Sequence, residues 1–246
     1  MLELSDSEKK RYHRQILIPS IGEKGQMELR NSKVFLAGLG GLGSAAAIYL
    51  AVAGVGTIKI ADSDVVELSN LNRQILHYDR DIGKAKVESA LEKLRLINPE
   101  IKIESYRETI DKENVLRLTR DCNLIVDGLD NFPARYYLNE AAIAHRIPFI
   151  HAAIYGFEGR ITTIIPGRTA CLRCIFPKAP PEEIFPALGA TVGVIALLEV
   201  IEAVKLLIST GKPLLNRLLI FDGEEMKFEE IPIKRNPKCQ ACGNRI

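Results

Sequence analysis

Four of the five cysteines form two C-x-x-C pairs, Cys171/Cys174 and Cys239/Cys242. Each pair can direct two thiolates at one ion, and four thiolates complete a tetrahedral Zn²⁺ site that has no open position. Such a closed site is structural rather than catalytic. Two unrelated pairs of free thiols, or a redox disulfide, are the alternatives. The fifth cysteine, Cys122, begins a predicted strand, which favours a role as a small core residue.

A glycine-rich turn, GLGGLG at 38–43, lies between the apolar segment KVFLA and an alanine-rich segment. A strand, a G-x-G-x-x-G turn and a helix bind phosphate, because glycines let the backbone approach it at the helix N-terminus. The glycines of this predicted site are Gly38, Gly40, Gly41 and Gly43. Asp62 follows the next predicted strand, where a carboxylate can bind ribose hydroxyls. NAD, FAD and ATP all use such a turn, and a tight turn without a ligand is the alternative.

The segments around this turn resemble the MoeB/ThiF/HesA family, bacterial and archaeal relatives of ubiquitin-activating enzymes. The matching strings span residues 11–242: RYHRQILIPSIGEKGQ, GLGGLGS, ADSDVVELSNLNRQ, DIGKAKVE, DGLDNFPARYYLN, GFEGRIT and the two C-x-x-C pairs. The resemblance implies an adenylyltransferase that uses ATP and Mg²⁺. Its substrate would be a ubiquitin-like sulfur-carrier protein ending in Gly-Gly, whose terminal glycine becomes an acyl-adenylate as pyrophosphate leaves.

The resemblance further implies a homodimer and a sulfurtransferase or cysteine desulfurase as a partner. Molybdenum-cofactor and thiamine biosynthesis, tRNA thiolation and cysteine synthesis all use this chemistry, and the sequence does not choose among them. Two other functions remain open: an NAD-dependent Rossmann oxidoreductase, and a non-catalytic, zinc-stabilised nucleotide-binding protein.

Roles for five polar residues also follow from the resemblance. Arg73 and Lys86 would contact the ATP phosphates, and Asn70 would lie at the reacting phosphate. An arginine fork and a lysine point charge both suit phosphate. Asp130 would bind Mg²⁺ and take part in catalysis, and Arg14 would reach the phosphates from the partner subunit.

Taken singly, several of these residues have simpler explanations. An isolated arginine or lysine is usually a solvated surface residue. Asp130 could cap a helix, and Asp64 could either cap or bind phosphate through Mg²⁺. We interpret Asn72 and Gln74 as residues that shape the loop. We interpret three histidines as structural and leave His13 undecided beside Arg14; the three are His77, His145 and His151.

One family feature is missing from the crossover loop. Many relatives carry a cysteine there, which receives the activated protein as a thioester. In this chain the loop reads IFPALGATVGVI, Leu188 stands where that thiol would be, and no cysteine lies between 174 and 239. The sequence therefore favours an enzyme that stops at the acyl-adenylate and takes sulfur from another protein.

Strand and helix patterns alternate from residue 33 onward. This predicts an α/β fold: a Rossmann-like, mostly parallel sheet with helices on both faces, a C-terminal antiparallel extension and a zinc-knuckle site. Residues 4–30 are predicted to form one or two helices, broken near Pro19 and Gly22, and residues 171–186 to be irregular. Beyond them we predict a helix over 190–210 and a hairpin around Asp222-Gly223.

Length and charge bound the organisation. At about 150 residues per domain, 246 residues correspond to one large domain with an appendage. We predict a helical segment at 1–30 that contributes Arg14 to the partner's site, an adenylation core at 31–170, and a crossover loop, helix, hairpin and zinc-binding tail at 171–246 on the same core. A net charge of +2 argues against nucleic-acid or membrane binding. With no signal-peptide pattern near the start, a cytoplasmic location is expected.

Overall fold

The fold is known from a computed structural model that describes residues 3–181 and 185–243. Within them, eight strands form one sheet in the order β3-β2-β1-β4-β5-β6-β7-β8. The strands are β1 Lys33–Ala37, β2 Thr57–Ala61, β3 Lys102–Tyr106, β4 Leu124–Asp127, β5 Phe149–Tyr155, β6 Glu158–Ile164, β7 Arg217–Asp222 and β8 Lys227–Pro232. The five strands from β3 to β5 are parallel, and β6, β7 and β8 continue the sheet antiparallel.

This topology confirms the predicted fold class. The antiparallel part already begins at β6, before residue 171. The short β5–β6 connection turns through Gly156, whose φ is +59°, so β6 returns directly beside β5. The division of the chain at residues 30 and 170 stays a prediction.

The helices lie before and between the strands. They are α1 Asp6–Arg11, α2 His13–Ile16, α3 Gly22–Arg30, α4 Gly41–Ala53, α5 Lys86–Ile97, α6 Val115–Leu118, α7 Phe132–His145, α8 Leu172–Ile175 and α9 Gly189–Leu207. Short 3₁₀ turns at Leu68–Asn70 and Asp79–Asp81 interrupt the long connection from β2 to α5. No helix among the described residues is long and apolar enough to cross a membrane.

Two predictions about the helices are wrong. Residues 4–30 hold three helices, not one or two, because Tyr12 separates α1 from α2. The predicted break near Pro19 and Gly22 is present, since α2 ends at Ile16 and α3 begins at Gly22. Gly22 has a φ of +57°, a conformation that glycine adopts without strain. The segment 171–186 also contains the helical turn α8, while residues 182–184 of that prediction lie outside the described ranges.

Helices cover both faces of the sheet because the strands are apolar on both sides. On β1, Val34 and Leu36 pack in the core formed with α4, α5 and α9, whereas Phe35 and Ala37 pack in the core formed with α6 and α7. This doubly covered sheet fixes the carboxyl ends of β1, β2 and β4 side by side, which is where an open α/β sheet binds ligands.

Candidate functional site

Three loops that carry predicted nucleotide ligands leave neighbouring strands at the same edge of the sheet. The glycine loop follows β1, Asp62 follows β2, and the loop to Asp130 follows β4. The Gly38 N–H donates to the Ala61 carbonyl at 2.8 Å, and the Gly128 N–H donates to the Ala37 carbonyl at 2.7 Å. The strand pairing therefore continues into both loops and fixes where they start.

The glycine loop and the Asp130 loop touch through their backbones. A Cβ on Gly38 would lie 2.7 Å from the Gly128 oxygen, and one on Gly128 would lie 2.8 Å from the Ala37 oxygen. A Cβ on Gly43 would lie only 2.0 Å from the Gly38 oxygen. Side chains are excluded at all three positions, so these glycines let the two loops and α4 pack as one unit. Gly128 is a member of this arrangement that the sequence analysis did not single out.

Asp62 ties the second strand to the glycine loop. Its Oδ2 accepts from the Leu39 N–H at 2.7 Å, and its Oδ1 accepts from the Asp64 N–H at 2.8 Å. Burial raises the pKa of the Asp62 carboxyl, while the Lys86 ammonium and these two N–H groups act to lower it. The carboxyl group is thus fixed in direction, and each oxygen keeps a lone pair with which to accept a hydroxyl.

The segment between β2 and α5 folds over the glycine loop. A Cβ on Gly41 would lie 3.6 Å from Cγ of Arg73, and one on Gly40 would lie 3.8 Å from Nε2 of Gln74. On its other side Arg73 lies against the start of α9, where a Cβ on Gly189 would lie 3.5 Å from the Arg73 Cα. Arg73 is therefore beside the glycine loop, as the predicted phosphate contact requires.

Asn70 and Arg73 take part in hydrogen bonds that shape this segment. Asn70 is buried, and its Oδ1 accepts from the Glu67 N–H at 3.0 Å. Nη1 of Arg73 donates to the Ser69 carbonyl at 2.9 Å and to Oδ1 of Asn72 at 3.0 Å. Asn72 thus supports the loop through Arg73, which agrees with its interpretation as a loop-shaping residue.

Lys86 begins α5, and its ammonium is held at the same edge. Its Nζ donates to Oδ2 of Asp64 at 2.8 Å, and its own N–H donates to the Asp64 carbonyl at 3.0 Å. The Lys86 side chain is buried, whereas the Asp64 side chain is largely exposed. A phosphate at this edge would therefore meet a positive group whose present partner is a solvated carboxylate, which is easily displaced.

The Asp130 loop is held from beneath by a buried ion pair that the sequence analysis missed. Oδ2 of Asp127, the last residue of β4, accepts from Nε of Arg135 at 3.0 Å and from Nδ1 of His151 at 2.7 Å. Asp127 Oδ1 accepts from the Leu129 N–H at 3.1 Å, and Arg135 Nη2 donates to the Leu129 carbonyl at 2.5 Å. The N–H and the carbonyl of Leu129 are thus both fixed. The only sequence signal was that Asp127 ends an apolar strand.

Asp130 itself is exposed above this base. No hydrogen bond to its side chain is found among the described residues, and the next residue, Asn131, caps α7 by accepting from the Ala134 N–H at 3.0 Å. The capping role considered for Asp130 thus belongs to Asn131. The Asp130 carboxylate projects from a rigid base and is available to a cation.

Arg14 is the one predicted site residue that the described structure does not bring to this edge. It is exposed on α2, and the adjacent Gln15 donates to the Ala53 carbonyl at 2.9 Å, at the C-terminal end of α4. α4 has 13 residues, so this end is about 20 Å from the glycine loop at the other end of the helix. An arginine side chain cannot span that distance within one chain.

The four paired cysteines converge at one point. Their Sγ atoms all lie within 4.8 Å of one another, with 3.6 Å between Cys171 and Cys239, 3.5 Å between Cys174 and Cys242 and 3.8 Å between Cys171 and Cys174. A tetrahedron with metal–sulfur bonds of about 2.3 Å has edges of about 3.8 Å. The Asn236 N–H also donates to the Cys174 sulfur at 3.4 Å. The donor set and its spacing fit Zn²⁺.

The fifth cysteine and three of the histidines have structural environments. Burial raises the pKa of the Cys122 thiol to about 11, so it stays a neutral core group. His77 and His151 are buried and hydrogen-bonded, and burial lowers the pKa of each. His145 lies within 3.1 Å of the Leu116 carbonyl oxygen.

Glu199 on α9 is a buried carboxyl that the sequence analysis did not single out. Its side chain is fully buried, and neither carboxyl oxygen has a hydrogen-bond partner among the described residues. Burial raises the pKa of Glu199 well above its usual value, and the nearby Asp127 carboxylate raises it further. Glu199 is therefore held in its neutral form.

A protein-family model identifies the chain. The model of the ThiF family matches residues 12–241. The chain belongs to the ThiF family. This confirms the predicted MoeB/ThiF/HesA membership, and it accounts for nearly the full set of strings on which that prediction depends.

Curated relatives carry names that agree with an adenylyltransferase. The SAMP-activating enzyme E1 of Haloferax volcanii is 42% identical over 248 aligned positions, which cover 98% of this chain and 92% of the relative. The sulfur carrier protein adenylyltransferase of Thermus thermophilus is 38% identical and covers 95% of this chain and 90% of its own length. Among solved structures, E. coli MccB with ATP has a TM-score of 0.83 at 27% identity, covering 95% of this chain and 74% of MccB.

Proposed function

We propose that this protein is an ATP-dependent adenylyltransferase that activates the C-terminal glycine of a small ubiquitin-like sulfur-carrier protein. One observation carries the proposal: the Asp130 loop packs backbone to backbone on the glycine loop, with Arg73 and Lys86 at the same edge. A phosphate-binding turn, two cations and a free carboxylate are thus collected in one place. Membership of the ThiF family, and relatives named as carrier-activating enzymes, support the same activity.

The reaction needs positioning more than side-chain chemistry. A carboxylate oxygen of the carrier's terminal glycine attacks the α-phosphorus of ATP, the bond from the α-phosphorus to the bridging oxygen breaks, and pyrophosphate leaves with the electron pair. The glycine carboxylate is already ionised at neutral pH, so no general base is required. The protein's task is to align the reactants and to offset the charge that collects on the phosphates.

Each charged residue has a place in that task. The N–H groups at the start of α4 and the side chains of Arg73 and Lys86 bind the phosphates, while the Asp62 carboxyl accepts the ribose hydroxyls. Asn70 fixes the loop beside the reacting phosphate through its bond to Glu67. ATP phosphates at this edge would displace Asp64 from Lys86, and the freed Asp64 carboxylate would be available to Mg²⁺.

Asp130 suits Mg²⁺ because it offers an exposed carboxylate on a rigid base, and hard oxygen ligands are what Mg²⁺ prefers. When bound, Mg²⁺ would neutralise phosphate charge and orient the triphosphate. The Asp127–Arg135 pair fixes the backbone that carries Asp130 at the carboxyl end of β4, so the Asp130 carboxylate does not have to reorganise during the reaction.

The four cysteines hold a structural Zn²⁺ that joins the C-terminal tail to α8. Arg235 and Gly243 organise the tail side of this site: Nη2 of Arg235 donates to the Cys242 carbonyl at 2.6 Å, and the Gly243 N–H donates to the Cys239 carbonyl at 2.8 Å. Free thiolates of this kind persist in a reducing compartment, which agrees with a cytoplasmic location for the enzyme.

The enzyme acts as a homodimer in which Arg14 of one protomer serves the other protomer's site. Arg14 is far from its own glycine loop along α4, and exposed apolar side chains lie directly after α2 and on the C-terminal half of α4. They are Leu17, Ile18, Tyr49 and Val52. A second copy covering these residues would bury them and carry its own Arg14 across the interface.

Sulfur comes from another protein, a sulfurtransferase or a cysteine desulfurase. Leu188 is the exposed N-cap residue of α9, and the following Gly189 would place a Cβ 2.4 Å from the Asn72 carbonyl oxygen. The position at which relatives carry a thiol is therefore close to the nucleotide loop, but here it holds an apolar side chain. The sulfur nucleophile of that protein attacks the acyl carbon of the acyl-adenylate, and AMP leaves.

The test is carrier-dependent exchange of labelled pyrophosphate into ATP. We expect exchange when the protein, ATP and Mg²⁺ are mixed with a carrier ending in Gly-Gly, and none with the same carrier shortened by its last glycine. The control separates activation of the terminal carboxylate from non-specific turnover. Absence of exchange with a panel of carriers, despite ATP binding, would instead support a non-catalytic nucleotide-binding protein. NADH binding without ATP binding would instead support the alternative function of an NAD-dependent oxidoreductase.

A further inference from the structure

Leu39, at the centre of the glycine loop, is held at both its N–H and its carbonyl. The Leu39 N–H donates to Oδ2 of Asp62 at 2.7 Å. The Leu39 carbonyl accepts from Oγ of Ser44 at 3.0 Å and lies 3.1 Å from Nε2 of His77. Leu39 and both of these partners are buried, so its carbonyl points into the protein.

His77 connects this carbonyl to a chain of buried polar groups. Its Nδ1 lies 2.8 Å from Oγ of Ser89, and Nζ of Lys93 donates to that same Oγ at 2.7 Å and to Oδ2 of Asp81 at 2.5 Å. The charged members of this series of buried groups are Lys93 and Asp81, which form an ion pair that is itself buried.

The donor directions fix the tautomer of His77. A carbonyl oxygen can only accept, so Nε2 of His77 carries the proton that is donated to the Leu39 carbonyl. In the neutral ring Nδ1 is then the accepting nitrogen, and the Ser89 hydroxyl donates to it. Burial lowers the pKa of His77, with Lys93 and Lys86 nearby, which agrees with a neutral ring that has this single proton.

Fixing the Leu39 carbonyl also fixes the next amide. In a trans peptide the carbonyl and the following N–H point in opposite directions, so an inward Leu39 carbonyl directs the Gly40 N–H outward. Among the described residues, no hydrogen bond from the Gly40 N–H is found. Gly38 and Leu39 are buried, whereas Gly40 and Gly41 are partly open to solvent. The outward amide thus faces the side from which a ligand arrives.

We propose that His77 is a positioning residue for the nucleotide: by donating to the Leu39 carbonyl, it aims the Gly40 N–H at the ATP phosphates. This inference rests on the proposed function, because it assigns His77 to the same nucleotide site. Ser44 holds the same carbonyl from a second direction, so loss of His77 loosens the peptide without releasing it. The effect falls on ATP affinity, because no atom of His77 touches a reacting group.

Two substitutions separate the two sides of the imidazole ring. His77→Gln places an amide N–H near the Nε2 position and keeps the donor to Leu39. His77→Asn places its amide near the Nδ1 position, where it keeps a contact with Ser89 but loses the donor. Both remove one hydrogen bond from the buried chain, so each controls for the other's effect on folding. Ser89→Ala is a third variant, in which the His77 bond to Leu39 remains.

The experiment measures affinity for ATP and for α,β-methylene-ATP by calorimetry, together with KM and kcat for carrier-dependent exchange. We expect His77→Asn to weaken nucleotide binding and raise KM for ATP by roughly fivefold to tenfold, which corresponds to one buried hydrogen bond. Its kcat should stay within about twofold of wild type, and His77→Gln and Ser89→Ala should bind nucleotide within about twofold of wild type.

Equal weakening in His77→Asn and His77→Gln, or a fall in kcat without a change in KM, would overturn the proposal. The unfolding temperatures of the three variants are measured as a control, to establish that each is folded at the assay temperature. The proposed function is tested separately, by measuring carrier-dependent pyrophosphate exchange with the wild-type protein. If wild type binds ATP but exchanges with no carrier, the affinities of the variants still decide the role of His77.

Discussion

The nucleotide edge and the cysteine cluster are built in opposite ways. At the nucleotide edge, Asp130 is exposed and has no side-chain partner within the described ranges, while its support, Asp127 and Arg135, is buried. In the cysteine cluster the ligand atoms themselves converge, and three of the four cysteines are buried. One region keeps its reactive groups open and fixes the residues beneath them. The other closes its ligands around a single point.

This difference indicates what each region contributes. Ligand groups that stay open cannot stabilise the fold strongly, because their favourable interactions are made only when the substrate arrives. A closed tetrahedral site adds its binding free energy directly to folding. We therefore expect substitutions at the nucleotide edge to remove activity and leave stability unchanged, and substitutions in the cluster to remove stability first.

The largest expected effect is at Asp130. Asp130→Asn should lower carrier-dependent exchange by about 10³-fold or more, because the metal ligand at the reacting phosphates is weakened. Its unfolding temperature should change by no more than about 1 °C. Asp121→Asn is the matched control. Asp121 is exposed near the opposite end of β4 and has a φ of +60°, which asparagine tolerates, so it should retain full exchange. If Asp130→Asn failed to fold, it would contradict the expectation that residues at the nucleotide edge contribute to activity and not to stability.

The cysteine cluster should show the opposite result. Cys174→Ser is expected to lose the bound zinc and to cost roughly 3–5 kcal/mol of unfolding free energy, since the tail is released from α8. Metal content by mass spectrometry and denaturant unfolding measure the two effects. Cys122→Ala is the control, because Cys122 packs in the core and should keep one zinc per chain. A Cys174→Ser protein that unfolds like wild type would show that the cluster does not support the fold.

Mixing two inactive variants tests whether the open edge is completed by a partner. Protomers carrying Arg14→Ala and protomers carrying Asp130→Ala should each be inactive. After subunit exchange at equal amounts, about half of the dimers contain one of each, and each of these has one intact site. Exchange activity should therefore recover to about a quarter of wild type.

Recovery requires that Arg14 act across the interface. If Arg14 served its own chain, every site in the mixture would lack one residue and activity would stay near zero. A wild-type protein that is fully active as a monomer, measured by light scattering during the assay, would also contradict the role across the interface.

The smallest expected effect concerns Glu199, a buried group that belongs to neither region. Its pKa is raised by burial, so above about pH 4.5 the unfolded chain loses a proton that the folded chain keeps. Protons are then bound more strongly in the folded state, and stability falls as the pH rises. Glu199→Met should remove this dependence and raise the unfolding free energy at pH 7 by at least about 1 kcal/mol, measured in urea between pH 5 and pH 8. The gain should be smaller at pH 5 than at pH 8.

Much of the fold could be predicted from the sequence because local signals agreed with one another. The apolar segment KVFLA, the glycine turn and the alanine-rich segment correspond to β1, its loop and α4, and the Asn98-Pro99 pair follows the end of α5. One error occurred where no local signal marks a boundary. Tyr12 separates α1 from α2 without a glycine or proline beside it, whereas the break near Pro19 and Gly22 was predicted correctly.

The candidate site divides in the same manner. Residues in recognisable strings could be proposed from sequence, and the structure brings Asp62, Arg73, Lys86 and Asp130 to one edge. Their supports could not be proposed, because Arg135 and His77 act only through contacts made by folding. The link from His77 to Leu39 joins residues 38 positions apart, and His151 reaches Asp127 across 24 positions. No spacing rule connects such pairs.

The central claim is that a carboxylate oxygen of the carrier attacks the α-phosphorus of ATP. Oxygen-18 tests it directly: a carrier labelled in its C-terminal carboxylate is incubated with the protein, ATP and Mg²⁺, and hydroxylamine is added to capture the acyl group. Hydroxylamine attacks the acyl carbon, so the bridging oxygen leaves with the nucleotide. The account predicts AMP that carries one oxygen-18 atom and a carrier that ends in a hydroxamate. Unlabelled AMP would mean that water attacks the nucleotide, and it would contradict the assignment of an adenylyltransferase.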